Sequence, residues 1–391
     1  MSLAQDEADI SPAILEPLTI FGNQEELFTQ TGSGYLIEQD LLQTHGYADI
    51  NQALKQVPGV YLRAEDGYGL FPNISLRGVD PGRMSKLTYM EDGILAAPAS
   101  YSSPSAYYTP TMGRMSALEI LKGSSQIQHG PHTTGGVINY ISTPIPNSKS
   151  NYIRFSYGTD NETKLHLWTG DRIETGAGEF GYLVETYYRE NDGFKTIDST
   201  EAFNGSNRDT GLQNKDSMIK LSWSPDTENR QYFEFKTGYT DKDANETYLG
   251  LSSSDFAVNP NRRYAASRDD NIDTQHFRNY LRYSVDVNSQ ATFSAAAYYN
   301  AFNRNWFKLK EIKDIDSDGD GVIDSTPTVK LYQALAGIDD NKPLEVLQGT
   351  RAGQYEYRNN NRDYIAKGLQ ATLDWTIDAG QATHELRIGT R

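Results

Sequence analysis

The sequence has no cysteine, so its 391 residues form no disulfide, no thiolate metal site and no thiol nucleophile. Long apolar runs are also missing, and only 37% of the residues are hydrophobic. A helix needs about 20 consecutive apolar residues to cross a membrane, so transmembrane helices are excluded. Transmembrane strands are not, because their apolar band occupies alternate residues and is averaged out in a hydropathy sum.

Positive charge is scarce, since 36 Lys and Arg face 52 Asp and Glu and give a net charge of -16. Nucleic acid is bound by clustered cations and is therefore not expected as a partner. The start, MSLAQDEADI, has no basic and apolar leader, so either the protein is not exported or a signal peptide has been removed. His129 and His132 have no metal-binding spacing and no Ser, His and Asp set is apparent, so an enzyme is not expected.

Aromatic residues are abundant, with 26 Tyr and 14 Phe, and most segments after residue 151 alternate apolar and polar side chains. In YIRFSYG, for example, Ile153, Phe155 and Tyr157 share one face of a predicted strand. Connections between these strands are alternately short and long, and the long ones run through 191–215, 241–274 and 301–362. Outer-membrane barrels sort their connections in this way, with short periplasmic turns and long extracellular loops.

The first part of the chain has a different pattern. Residues 1–34 form a polar extension, residues 35–146 are compact and mixed, and two prolines in TPIPN mark a boundary before residues 147–391. Apolar residues at helical spacing in YADINQALKQVPGVYL predict a helix that ends before Pro58. Short strands are predicted at NISLRG, KLTYMEDG and LEILKG.

Three ordered motifs carry a family resemblance: ISLRGVDPGR at 74–83, YMEDGI at 89–94 and LEILKGSSQIQHGPHTTGGVINYIS at 118–142. They resemble the plug domain of TonB-dependent outer-membrane receptors, and within them the ferric-citrate (FecA-like) group. The resemblance implies a mainly β protein in the Gram-negative outer membrane, with a small α+β plug followed by antiparallel strands of a transmembrane barrel. About nine strands are expected here of the roughly 22 that close such a barrel, so the barrel is incomplete.

The resemblance also assigns roles to residues. Arg77 and Lys122 are expected either to pair with acids on the inner barrel wall, whose positions can lie beyond residue 391, or to form local contacts. Glycines are expected where positive φ or close backbone approach is needed. The expected structural residues of the plug are Arg77, Gly78, Lys122, Gly123, Gly130, Gly135 and Gly136. The TonB box, which pairs with TonB by strand addition, is expected at Leu18, Thr19, Ile20 and Phe21.

Function follows from the same resemblance. It implies uptake of a ferric chelate, either ferric citrate or a related siderophore, driven by TonB with ExbB and ExbD. Cobalamin or a carbohydrate are alternative cargoes. Cationic and phenolic side chains in the apical loops of the plug could bind an anionic chelate or could simply pack together. These candidates are Arg63, Tyr68, Tyr101, Tyr107 and Tyr108.

The segment DIDSDGDGVID at 314–324 is typical of a calcium loop, because aspartates alternate before a glycine that tightens the turn. An EF-hand is excluded, since Ser325, Thr326 and Pro327 follow. The alternative is a solvated acidic loop. The candidate ligands are Asp316, Asp318, Asp320 and Asp324, with an affinity in the roughly millimolar range of extracellular sites. If calcium were the main ligand, the protein would belong to another class, the calcium-dependent surface β-proteins.

Overall fold

The computed structural model describes residues 32–80, 82–96, 107–129, 134–199, 208–380 and 382–391. Two β structures follow each other in the chain. The first is the expected plug, and the second is a large antiparallel sheet that we call the barrel sheet.

The plug is built from seven short strands. They are β1 Ser33–Ile37, β2 Val60–Leu62, β3 Ile74–Leu76, β4 Leu87–Glu91, β5 Ile94–Leu95, β6 Met115–Lys122 and β7 Gly136–Ser142. Five of them form a sheet in the order β1-β6-β7-β4-β5, and β2 and β3 form a separate hairpin. Strands β4 and β7 are parallel, and the other neighbours in the plug are antiparallel. The three strands predicted from the motifs correspond to β3, β4 and β6.

Two short helices, α1 Gln39–His45 and α2 Ile50–Leu54, pack on this sheet. Helix α2 begins at Asp49, whose carboxylate accepts a hydrogen bond from the Asn51 N–H at 2.8 Å, and it ends before Pro58 as predicted. Its buried residues join a core of strand residues from β6 and β7. The most buried members of that core include Ile50, Leu54, Leu118, Ile120, Ile138 and Tyr140.

The barrel sheet consists of nine long strands that are hydrogen-bonded in chain order, each antiparallel to the next. This number agrees with the sequence-based expectation. The strands are β8 Ser150–Tyr157, β9 Thr163–Thr175, β10 Gly178–Asn191, β13 Leu212–Pro225, β14 Gln231–Ala244, β16 Asn271–Asn288, β17 Ala291–Ile315, β19 Gly353–Ala379 and β20 Ala382–Thr390.

The two faces of this sheet have opposite polarity. On β13, Asp216 and Lys220 are buried on the face that meets the plug, whereas Ile219 and Leu221 are 41% and 38% exposed on the other. Exposed apolar side chains also mark the outer face of the neighbouring strands. They include Phe180, Val184, Phe233, Phe235, Leu281, Ile365 and Leu369. A polar inside and an apolar outside are the arrangement of a membrane barrel and the reverse of a soluble sandwich.

Connections at one end of the barrel sheet are short and those at the other end are long, as predicted. The longest predicted loop, 301–362, is shorter than expected, because β17 continues to Ile315 and β19 begins at Gly353. The alternation of side chains continues through residues 302–312, so the two strands extend well beyond the rest of the sheet.

The long loops carry structure of their own. They contain the short strands β11 Thr196–Ile197, β12 Arg208–Asp209, β15 Arg262–Arg263 and β18 Val329–Lys330, and the helices α3 Ser253–Val258, α4 Leu331–Leu335 and α5 Lys342–Gln348. An apolar cluster that includes Leu249, Tyr264, Ile312 and Leu347 joins the loop after β14 to the loop after β17.

Within the described residues, no helix combines the length and the hydropathy that a membrane crossing requires.

Candidate ligand-binding site

A loop of the plug, Asp66–Phe71, is held by its own aspartate. The Asp66 carboxylate accepts hydrogen bonds from the N–H groups of Tyr68, Gly69 and Phe71 at 2.6, 2.8 and 2.8 Å. Gly67 has φ +98, a conformation that a side chain would strain. The loop therefore holds its aromatic residues in fixed positions.

Three aromatic rings meet where this loop approaches the barrel wall. Phe71 lies 5.4 Å from Tyr107 in an edge-on contact and 5.2 Å from Trp306 of β17. Tyr107 and Trp306 are 5.5 Å apart, also edge-on. These centroid distances fall in the favourable range for aromatic pairs. The rings form a rigid floor that joins plug and barrel.

A group of cations lies around this floor. The strand register places Arg304 directly opposite Arg362 and Lys308 directly opposite Arg358, all on the inner face of β17 and β19. The plug contributes Arg83, whose guanidinium lies 5.5 Å from the centre of the Tyr107 ring. We call these five residues the basic patch. Within it, the Lys308 ammonium lies 3.4 Å from the Trp306 ring and 4.4 Å from the Tyr248 ring.

The basic patch has few opposing charges. In the described part of the chain, no acid lies within ion-pair distance of Arg83, Lys308, Arg358 or Arg362. Like charges directly opposite each other destabilise a sheet. A cluster of repelling cations over aromatic rings is therefore an arrangement that an anion would stabilise.

One acid, Asp270, acts electrostatically on Lys308 but is engaged elsewhere. Its carboxylate accepts from the Leu309 N–H at 2.6 Å and from the Thr247 hydroxyl at 2.5 Å. Burial raises the pKa of the Asp270 carboxyl to about 6, although the two hydrogen bonds lower it in part. At neutral pH this carboxyl is still mostly ionised, so Asp270 offsets part of the positive charge of the patch without lying within ion-pair distance of Lys308.

Deeper in the molecule, plug and barrel are joined by a fully buried ion cluster. Arg114 of the plug contacts Glu91 Oε1 at 2.6 Å. Its Nε lies 2.9 Å from a carboxylate oxygen of Asp216 on β13 and forms an ion pair whose angle does not suit a hydrogen bond. Lys236 of β14 contacts Glu91 at 2.6 Å and Asp92 at 2.5 Å. Burial opposes ionisation of Glu91, but Arg114 and its cationic neighbours hold the pKa of that carboxyl well below its usual range. The cluster fixes the plug to the inner face of β13 and β14.

Comparison with known proteins identifies the first part of the chain. Residues 26–137 match the family described as TonB-dependent Receptor Plug Domain. These residues are a TonB-dependent receptor plug domain. The plug and the barrel sheet together give the chain the fold of such a receptor with an incomplete barrel. This is a receptor family and not an enzyme family, in agreement with the sequence analysis.

Solved receptors share the fold of the whole chain. The ferric citrate transporter FecA in its unliganded form has a TM-score of 0.69 and 19% identity, covering 94% of this chain and 48% of FecA. The siderophore receptor PiuA from Acinetobacter baumannii has a TM-score of 0.65 and 16% identity, covering 96% of this chain and 47% of PiuA. The chain thus spans about half the length of these receptors.

A curated relative matches a smaller region. The vitamin B12 transporter BtuB of Photobacterium profundum is 25% identical over 173 residues, which are 40% of this chain and 27% of that protein.

The ligand residues predicted for the receptor are not all brought together. Tyr107 lies at the basic patch, whereas Tyr108 is buried against His276 and Phe302, with centroid distances of 4.5 and 5.0 Å. Tyr68 accepts a hydrogen bond from the Phe194 N–H at 2.9 Å instead of facing the patch. Arg63 contacts Glu65 at 3.4 Å. Tyr101 lies outside the described residues.

Sequence reasoning missed Trp306 of the floor and the four patch residues on the barrel strands, Arg304, Lys308, Arg358 and Arg362. A signal was present, because RNWFK at 304–308 and RNNNR at 358–362 each place two basic residues four positions apart, which puts both on the same face of a strand. The register that puts them opposite each other could not be deduced from the sequence.

The receptor's predicted structural residues have local roles in the described part of the plug. Lys122 Nζ donates to the Pro58 carbonyl at 2.7 Å, and Arg77 adopts φ 56. In the described residues, Arg114, Glu91 and Asp92 pair the plug with the barrel sheet, and pairing of Arg77 and Lys122 with the barrel wall stays a prediction. Gly78, Gly123 and Gly136 have positive φ, and a Cβ on Gly135 would lie 2.8 Å from the Lys86 carbonyl. Gly130 and the predicted TonB box, 18–21, lie outside the described residues.

The aspartate-rich loop folds as a compact turn. Carboxylate oxygens of Asp316, Asp318 and Asp324 lie within 4.8 Å of one another. Asp320 is not in this group, and its carboxylate accepts from the Val322 N–H at 2.7 Å. Calcium binding by this loop stays a prediction.

Proposed function

We propose that this chain is part of an outer-membrane receptor that binds an anionic ferric chelate at the basic patch and imports it with energy supplied through TonB. The observation that carries the proposal is that like charges occupy directly opposite positions on β17 and β19, Arg304 with Arg362 and Lys308 with Arg358. Their repulsion costs stability in the free receptor, and an anion at the patch removes that cost.

The chemistry of the patch favours a carboxylate ligand. Guanidinium groups bind carboxylates through two parallel N–H···O bonds, and the patch offers four arginines. Tyr107 adds a phenol that can donate to a ligand oxygen. Ferric citrate, a small chelate rich in carboxylates, fits this set, and FecA is a transporter of ferric citrate with the same fold.

Cobalamin is a second candidate, since BtuB is a vitamin B12 transporter. The match to BtuB covers 40% of this chain. A cobalamin of no net charge would gain little from five neighbouring cations, so the basic patch favours the anionic cargo.

Import requires that binding outside be coupled to work inside. In the proposal, TonB, energised by ExbB and ExbD, pairs with residues 18–21 by strand addition and pulls on the plug. The plug then rearranges within the barrel and opens a path for the chelate. The buried ion cluster around Arg114 limits this rearrangement, because separating its charges leaves each of them desolvated and unpaired.

Uptake of radiolabelled ferric citrate by cells that carry the full-length gene tests the proposal. We expect uptake that depends on TonB and is lost when residues 18–21 are deleted. Uptake that is absent, or that continues without TonB, would refute it. Radiolabelled cobalamin in the same cells distinguishes the two cargoes.

A further inference from the structure

The plug loop 66–71 is also held by hydrogen bonds from two residues outside the plug, which follow β10. Lys195 Nζ donates to the Asp66 carbonyl at 2.8 Å and to Glu246 Oε1 at 2.6 Å. The Phe194 N–H donates to the Tyr68 hydroxyl at 2.9 Å, and the two rings are 5.5 Å apart. We call Phe194, Lys195 and Glu246 the clasp.

Gly67 shows how closely the clasp fits. A Cβ on Gly67 would lie 2.9 Å from the Phe194 ring, so any larger residue would push the clasp away. Lys195 is 4% exposed and Glu246 is fully buried. Ordinary surface loops do not hide an ion pair in this way, because removing two charges from water is costly unless their partners are fixed.

The clasped loop ends at the ligand site. Tyr68, held by Phe194, is three residues from Phe71, whose ring forms part of the floor under the basic patch. The Asp66 carboxylate joins both positions by accepting from both N–H groups. A displacement at the clasp therefore reaches Phe71 through a short and internally bonded segment.

We propose that the clasp is a positioning device, which holds Asp66–Phe71 in place and thereby keeps Phe71 and the floor of the basic patch in their binding geometry. Lys195 and Glu246 are positioning residues, since they touch the plug loop and not the patch. The effect on ligand affinity rests on the proposed function, but the grip on the loop does not.

The charges around Glu246 make the grip sensitive to pH. Lys195, Asp66 of the plug loop, Arg263 of β15 and Tyr68 act electrostatically in this region. Burial raises the pKa of the Glu246 carboxyl from 4.5 to about 7, although Lys195 opposes the change. The clasped state therefore binds a proton more tightly than an opened state with a normal carboxyl, and the clasp weakens as pH rises from about 4.5 to 7. The lowered pKa of Lys195 acts in the opposite sense on the alkaline side.

Hydrogen exchange on the full-length receptor tests the grip without any ligand. In Lys195→Met we expect the amides of Tyr68, Gly69 and Phe71 to exchange roughly ten- to hundredfold faster, which corresponds to loss of a charge-assisted hydrogen bond. Lys313→Met, which removes an exposed lysine near the end of β17, is the matched control and should change nothing there. The double variant Lys195→Met/Glu246→Gln avoids a buried unpaired carboxylate and should show the same faster exchange.

The pH profile separates positioning by charge from simple packing. Hydrogen exchange gives the equilibrium constant for opening of the loop. The ratio of this constant in the wild type to that in Glu246→Gln at the same pH should rise by roughly one to two orders of magnitude between pH 5 and 8. Comparison at equal pH removes the intrinsic pH dependence of exchange. Unchanged exchange in Lys195→Met would overturn the proposal, and a constant ratio would overturn the pH sensitivity of the clasp.

Titration with ferric citrate completes the test. We expect a several-fold higher Kd for Lys195→Met and the wild-type Kd for Lys313→Met. Faster exchange with an unchanged Kd would overturn the positioning role. If the wild type binds no ferric citrate, the proposed function fails, and the exchange measurements alone decide whether the clasp holds the loop.

Discussion

Replacement of Arg362 by glutamine should stabilise the receptor and weaken ligand binding at the same time. Arg362 faces Arg304 across β17 and β19, so the substitution removes one cross-strand repulsion and keeps a polar side chain. Two unit charges about 6 Å apart repel by roughly 0.7 kcal/mol in water and about 3 kcal/mol at an effective dielectric constant of 20. Arg362 is exposed, which favours the lower figure. Relief of about 0.2–1 kcal/mol is therefore expected, in line with like-charge pairs in sheets.

The loss in binding should be larger than the gain in stability. A hydrogen bond to a charged group contributes about 1.5–3 kcal/mol, so the Kd for ferric citrate should rise by roughly 10- to 150-fold. The stability of the full-length receptor in detergent is measured by urea unfolding, and the Kd by calorimetry. Added salt should shrink the stability difference, because the Debye length falls from about 10 Å at 0.1 M to 3 Å at 1 M.

Arg230→Gln is the matched control, since Arg230 lies at the opposite rim in an exposed ion pair with Asp286 at 2.8 Å. It should lower stability by at most about 1 kcal/mol and leave the Kd unchanged. Loss of both stability and affinity in Arg362→Gln would make Arg362 a structural residue. An unchanged Kd for ferric citrate would show that the basic patch is not the ligand site.

Three further predictions concern other parts of the molecule. Arg114→Met should destabilise the receptor by about 3–5 kcal/mol, because it leaves Glu91 and Asp216 buried with one cation fewer; urea unfolding measures this, and a loss under about 1 kcal/mol would contradict it. Gly67→Ala should cost at least about 1 kcal/mol through its positive φ, again by urea unfolding, and a neutral result would show that the loop relaxes freely. Asp318→Ala should abolish calorimetric binding of calcium at roughly millimolar affinity, and unchanged binding would place any calcium site elsewhere.

Much of the fold could be predicted from the sequence because it depends on local patterns. Alternating side chains after residue 151 predicted the barrel strands, and the unequal connection lengths predicted which end of the sheet carries the long loops. Helix α2 was predicted from the spacing of Ile50 and Leu54 and from Pro58. Motifs with a family resemblance identified the plug, which no local pattern could have done.

The site was predicted less well because it depends on register and on long-range contacts. Arg304 and Arg362 are 58 positions apart in the sequence, and only the pairing of β17 with β19 makes them neighbours. Tyr68 is a predicted ligand residue, and its hydroxyl accepts a hydrogen bond from the N–H of Phe194, a residue more than a hundred positions later that the sequence does not reveal as a neighbour. The composition of the apical loops predicted suitable residue types but not which of them face the ligand.

The central claim is that the receptor selects an anionic ferric chelate, and paired titrations of the full-length protein test it most directly. One titration uses ferric citrate, and the other uses a ferric hydroxamate chelate of no net charge. We expect heat of binding with ferric citrate only, with an affinity that falls as salt is added. Equal binding of the neutral chelate, or an affinity for ferric citrate that is independent of salt, would contradict the account.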